Sequence, residues 1–184
     1  MKKLLAIALI LMVASASFAQ KGKITVNGQL SVLNSVSLSG TGAANADGGF
    51  GFGAGAEYML MDNIGIVADV LYIPVGTDWN SMAILAGGTY HYDPKVENLD
   101  TYAEVLLGMT SHTGDAAKDF DGGFSYGFGG GATYKFAEKL SGFAGYRYIN
   151  MPVTYDYDFG FGVKGSYDWT MTSSQIYVGV TYQL

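Results

Sequence analysis

The last ten residues, Gln175-Ile-Tyr-Val-Gly-Val-Thr-Tyr-Gln-Leu184, decide how the rest of the chain is read. Ile176, Val178, Val180, Tyr182 and Leu184 are apolar or aromatic. Between them stand Gln175, Gly179, Thr181 and Gln183, polar or small, with Tyr177 as the exception. A period of two is the pattern of a β-strand with one apolar and one polar face. A strand of this kind that ends the chain suits the seam of a closed barrel, where both of its edges find partners.

The beginning of the chain points to a compartment. Lys2 and Lys3 precede an unbroken apolar run from Leu4 to Val13, and Ser17-Phe18-Ala19 places small residues three and one before a cut. This predicts a secretory signal peptide over residues 1–19, with 20–184 as the mature domain. The apolar run is too short to cross about 30 Å of hydrocarbon as a helix. Removing 19 residues from 184 leaves 165, the size of one domain. Lys2 and Lys3 leave with the peptide, so eight basic side chains face sixteen acidic ones. That balance argues against nucleic acid as a partner. The absence of cysteine excludes disulfides and a lipid-modified N-terminal cysteine. With 27 Gly, 14 Tyr, 10 Phe and only 3 Pro, the composition is that of an all-β chain. No later run is long and apolar enough for a membrane helix, so a crossing would have to be made by alternating strands of about 9–11 residues.

Eight candidate strands follow. They run over about 24–33, 50–60, 64–73, 82–92, 101–110, 123–136, 140–149 and 175–184. The sixth is the most regular: Phe124, Tyr126, Phe128, Gly130, Ala132, Tyr134 and Phe136 alternate with Ser125, Gly127, Gly129, Gly131, Thr133 and Lys135. Met61-Asp62-Asn63 and Ala137-Glu138-Lys139 read as tight turns. The stretches 34–48, 74–80, 111–122 and 150–174 read as longer loops, and the connection opening at Asp93-Pro94 is longer than a simple alternation of turns and loops wants. Short turns alternating with long loops are the mark of an even-stranded antiparallel up-and-down transmembrane β-barrel.

The chain resembles the outer-membrane protein β-barrel domain family, whose eight-stranded members include the barrels of outer-membrane proteins A and X. The resemblance rests on the leader ending Ser17-Phe18-Ala19, on Gly129-Gly-Gly-Ala-Thr-Tyr-Lys-Phe136, on Ala144-Gly-Tyr-Arg-Tyr148, and on the terminal alternation. It implies insertion by the barrel-assembly machinery, which reads the C-terminal strand through Ile176, Val178, Val180, Tyr182 and Leu184. Family members usually end in Phe or Tyr, and this chain ends in Leu184.

A spanning sheet must satisfy its backbone internally and turn an apolar face to lipid. Tyr58, Tyr72, Tyr90, Tyr92, Tyr134, Tyr148 and Tyr182 recur near strand ends, as an interfacial girdle does. The opposite face carries Glu57, Asp69, His91, Glu104, Lys135 and Arg147. An eight-stranded barrel is filled by its own side chains, and buried charges there need partners. These six residues form the expected interior polar network, with Asp69 reaching Arg147 and Glu57 reaching Lys135 across the lumen. Glu57, His91, Glu104 and Lys135 are expected in a layer near the short turns. A polar plug fits such a network better than a gate.

Ser111 and His112, with Asp115 nearby, invite a hydrolase reading, but neighbouring side chains on an extended segment diverge. Asp115, Asp119 and Asp121, and Asp156, Asp158 and Asp168, match no calcium-loop spacing. No catalytic, cofactor or metal site is assigned. The reading is a small, monomeric outer-membrane barrel surrounded by lipid and lipopolysaccharide. Its role is structural or lies in surface contact, with protein or glycan met at 111–122 and 150–174, where Tyr155-Asp156-Tyr157-Asp158-Phe159 interleaves aromatic and acidic residues. A narrow pore, a lipid-modifying enzyme and a soluble periplasmic ligand-binding barrel remain as alternatives.

Overall fold

The computed structural model describes residues 22–40, 48–76, 78–115, 120–158 and 164–184, without the side chains of 156–158 and 164. The expected signal peptide lies outside the described residues. The strands are β1 (Ile24–Ser39), β2 (Gly51–Met59), β3 (Ile64–Pro74), β4 (Asn80–Tyr92), β5 (Leu99–Thr113), the two-residue β6 (Phe120–Asp121), β7 (Phe124–Ala137), β8 (Leu140–Asp158) and β9 (Lys164–Gln183). The eight long strands pair antiparallel in the order β8, β7, β5, β4, β3, β2, β1, β9, and β9 pairs back onto β8. The cylinder is closed, and the seam lies on the strand that ends the chain. Closure leaves the barrel wall no open edge, which is the condition for a sheet to stand in lipid.

The expected facing holds along the strands. Ile176, Val178, Val180, Tyr182 and Leu184 all point outward, as do Leu30, Phe52, Ile66, Val105, Leu107 and Phe128. The expected girdle tyrosines share this outward parity; Tyr72 stacks on Phe52 at 4.8 Å and Tyr148 on Phe128 at 5.2 Å. The turn after β4 is compact despite its length: Asp93 Oδ1 accepts from the Lys95 amide at 2.7 Å, and Lys95 and Asn98 take φ of 62°.

Four boundaries differ from the sequence reading, for one physical reason. β1 runs to Ser39, β5 to Thr113 and β8 to Asp158, and β9 begins at Lys164, so most of 150–174 is strand and not loop. In these extensions the polarity of the two faces is inverted. On β9 the outward residues change from Ile176 and Val178 to Ser174, Thr172 and Thr170, and on β1 from Leu30 and Leu33 to Ser35, Ser37 and Ser39. The inward residues change in the opposite sense, to Val36, Ile149, Met151, Val153 and Met171, all buried. A bulge at Val32, between Ser31 and Leu33, shifts the parity of β1 at that level. This is why the period of two is lost after Leu33 in the sequence.

The outward apolar band on β9, from Ile176 to Leu184, corresponds to a height of about 20 Å at ordinary strand rise and tilt, close to the lipid-facing band of such barrels. From Ser174 to Lys164, β9 continues for about another 25 Å of height by the same geometry. The molecule is thus two structures stacked on one cylinder. One part is apolar outside and polar inside; the other, at the loop end, is hydroxyl-rich outside and apolar inside, like a water-soluble protein.

Candidate functional site

Among the described residues, ionisable side chains converge in the lumen. Arg147 on β8 donates from Nε to Glu104 Oε1 at 2.7 Å and from Nη2 to Glu104 Oε2 at 3.2 Å, and also from Nη2 to Asp69 Oδ2 at 2.9 Å. All three side chains are at most 4% exposed. The guanidinium lies over the Tyr177 ring at 4.7 Å, and the Tyr177 hydroxyl donates to Glu104 Oε1 at 3.3 Å. The register explains how they meet. Glu104 pairs with Gly129, and Gly129 with Arg147, so glycine is the residue between them. A Cβ on Gly129 would fall 2.8 Å from Glu104 Oε1. Two rows lower, Tyr102 and Tyr177 close over Gly131 and Gly145, with their hydroxyls 2.8 Å apart.

A second cluster lies nearer the short turns. His91 Nε2 is 2.9 Å from Glu57 Oε1 and His91 Nδ1 is 2.6 Å from Asp100 Oδ2. Thr89 donates to Glu57 Oε1 as well. A ring with a carboxylate at each nitrogen donates from both, and so carries a positive charge.

The expected pair of Asp69 and Arg147 is thus in direct contact. The expected pair of Glu57 and Lys135 is not: Lys135 is exposed at the short-turn end, and Glu57 is occupied by His91 and Thr89. Glu104 also departs from the expected layer, joining Arg147 and not His91. Strand stagger is the cause in both cases, because residues equally far from a turn do not share a level in a sheared cylinder. Thr89, Asp100 and Tyr177 were not singled out by sequence, although all three follow inward parity. Thr25, Thr133, Thr181, Phe143 and these clusters line a cavity of about 60 Å³.

At the loop end an apolar core fills the lumen: Leu71, Leu85 and Leu106 lie below Ile73, Val75, Met151 and Met171. An aromatic cap covers it. Trp79 packs on Phe120 at 4.8 Å, Phe120 on Trp169 at 5.7 Å, and Tyr155 stacks on Trp169 at 6.1 Å. The short β6 pairs Phe120 and Asp121 with Tyr155 and Thr154 of β8. His112, placed in a loop by the sequence reading, belongs to β5 and points into this cap, while Ser111 faces out. Extending the parity of Glu104 and Leu106 through Thr110 would have found it. Of the acidic loop residues, Asp168 accepts from Thr154 Oγ1 at 3.0 Å. Asp119 and the side chains of Asp156 and Asp158 lie outside the described set. Among the described residues no three His, Asp or Glu side chains converge as metal ligands.

A closed eight-stranded antiparallel cylinder with an apolar outer belt, aromatic residues at both belt edges and paired charges inside defines an integral β-barrel membrane protein. The profile of the outer membrane protein beta-barrel domain matches residues 4–183, and the chain belongs to that family. Among solved structures it is similar to Neisserial surface protein A, at 18% identity and a TM-score of 0.63, covering 88% of this chain and 97% of that one. It is also similar to the outer membrane protein OprG from Pseudomonas aeruginosa, at 16% identity and a TM-score of 0.51, covering 89% and 96%. The attachment invasion locus protein Ail of Yersinia pestis matches at 12% identity and a TM-score of 0.50, covering 90% and 100%. At these identities the likeness is one of fold. No curated protein sequence matches the chain.

Proposed function

We propose that this chain is a plugged outer-membrane barrel that acts at its loop end, through contact with protein or glycan outside the cell. The observation that supports this is the blocking of the lumen, by ion pairs toward the short turns and by an apolar core and aromatic cap toward the loops. What varies outward from that plug is a ribbon formed by β8 and β9, with Tyr167 exposed on it and Asp121 and Asp168 beside it. Aromatic and acidic residues on a rigid strand pair suit recognition of a polar partner. Delivery would use the leader over residues 1–19, and insertion the outward residues of β9, with lipid and lipopolysaccharide around a monomer.

Vesicles carrying the intact chain should bind a panel of immobilised glycans and matrix proteins. Replacing residues 156–166 by Asn-Gly should abolish that binding while the heat-modifiable gel shift of the folded barrel persists. Equal binding by both would count against the ribbon as the contact surface.

The cavity near the short turns gives the narrow pore its best support. The apolar plug beyond it favours a closed lumen, so planar bilayers containing the protein should stay at baseline current. Reproducible conductance steps would favour the pore instead. A hydrolase is disfavoured by geometry: Ser111 and His112 lie on opposite faces of β5, and both ring nitrogens of His112 are already engaged. A soluble ligand-binding barrel would not present Leu30, Phe52, Val105 and Phe128 to solvent.

A further inference from the structure

His112 is an ionisable side chain built into the apolar cap beside Trp79, and its contacts fit the neutral ring. Its Nε2 is 3.1 Å from the Pro152 carbonyl of β8, so Nε2 carries the proton and donates. Its Nδ1 receives the Trp79 indole N–H at 3.4 Å and lies 2.9 Å from Ser81 Oγ. Nδ1 is therefore an acceptor, and the ring is neutral. An indole nitrogen has no lone pair to offer in return. The ring ties together three separate pieces of the cap: Trp79 ahead of β4, β5 itself, and β8.

We propose that His112 is a proton-operated latch on the extracellular cap, which acid releases by turning Nδ1 from an acceptor into a donor facing the indole N–H of Trp79. Once Nδ1 is protonated it donates to Ser81 Oγ, the Trp79 indole N–H loses its acceptor, and a charge stands buried beside that indole. The ring's hydrogen-bond partners are Trp79, Ser81 and the Pro152 carbonyl, none of them charged. The acids on the packed elements are Asp78, Asp115 and Asp121, with Asp168 and Tyr155 on the ribbon, and Asp168 is engaged by Thr154. Burial opposes its charge, and the Pro152 carbonyl favours it. The site lies beyond the apolar belt, since Met109 is the last apolar outward residue of β5 and Ser111 follows.

The sign follows directly. Burial holds the ring below the ordinary histidine value while the cap is closed, and an opened cap returns it toward about 6.5. The closed cap is therefore favoured fully above that value and progressively less as pH falls below it. The barrel beneath, closed by the Arg147 cluster, does not depend on this ring.

Both tryptophans of the protein, Trp79 and Trp169, sit in the cap, so intrinsic tryptophan emission reports on it alone. For the full chain in lipid vesicles, lowering the pH from 8 to 5 should give a reversible red shift of emission, with a midpoint below about 6.5. His112→Asn keeps an acceptor at the Nδ1 position and cannot titrate; it should abolish the shift. His91→Asn, at the other histidine, should leave it. Trp79→Phe removes the opposing N–H and should move the midpoint, read from Trp169, to higher pH. A flat wild-type profile, or a shift that survives in His112→Asn, overturns the proposal. Should His112→Asn fail to fold, the wild-type ring decides by NMR: titration of His112 with no change in tryptophan emission overturns the latch equally.

Discussion

Arg147→Ala is expected to destabilise the barrel by about 3–5 kcal/mol, more than any other single change in the lumen. The reason is not the loss of the ion pair as such. Asp69 and Glu104 are both buried, and both depend on the one guanidinium. Its removal strands two carboxylates in a space with little water. The check is the urea midpoint of refolded protein in vesicles, read by the heat-modifiable gel shift. If stranded charge is the cause, Arg147→Ala combined with Asp69→Asn and Glu104→Gln should recover most of the loss, because neutral amides are cheaper to leave in place. Asp69→Asn alone should be mild, since Arg147 keeps both bonds to Glu104. Equal instability of the single and triple variants would mean that packing over Gly129, and not charge, dominates there.

The second large effect concerns the outside of the cylinder. Val180 stands at the middle of the outward band on β9, and Ser37 faces outward on β1 beyond it. Val180→Arg should cost about 2–4 kcal/mol, the expense of a cation at the centre of the hydrocarbon. Ser37→Arg should fall within about 0.5 kcal/mol of wild type, as surface changes in water do. Both side chains are outward, so the contrast measures which solvent each one meets. Similar costs at both positions would deny the change of solvent along the strands.

Facing was legible in the sequence wherever apolar outward residues alternate with small or polar inward ones. The outward set of β9 was read from parity alone, and the contact of Asp69 with Arg147 from inward parity together with the opposition of the third and seventh strands in an eight-strand ring. The ends of β1, β8 and β9 were not, because there the face that should be apolar carries Ser35, Ser37, Thr170 and Thr172. Read by the rule of the membrane segment, an inverted strand looks like a polar loop. The bulge at Val32 removes the remaining clue on β1. The pairing of Glu57 with Lys135 failed for a different reason. Cross-lumen neighbours are set by shear, which no single strand encodes; the glycine rows Gly129, Gly131 and Gly145 show where long side chains lie over adjacent strands, but not which ones arrive. His112 was legible by parity and was missed because Ser111 was taken as the start of a loop.

Oil bathes the outside of this cylinder up to Ile176, and water bathes it beyond. The chain has no cysteine, so single labels can be placed at will. The most direct measurement is a spin-label scan along β9 in lipid vesicles, reading collision with oxygen, which enriches in hydrocarbon, against a water-soluble nickel complex. Oxygen contact should be high at 176, 178, 180 and 182, nickel contact high at 170, 172 and 174, and contact with both low at 173, 175 and 177. Oxygen contact at the odd positions, or no crossover between 174 and 176, would contradict this change of solvent.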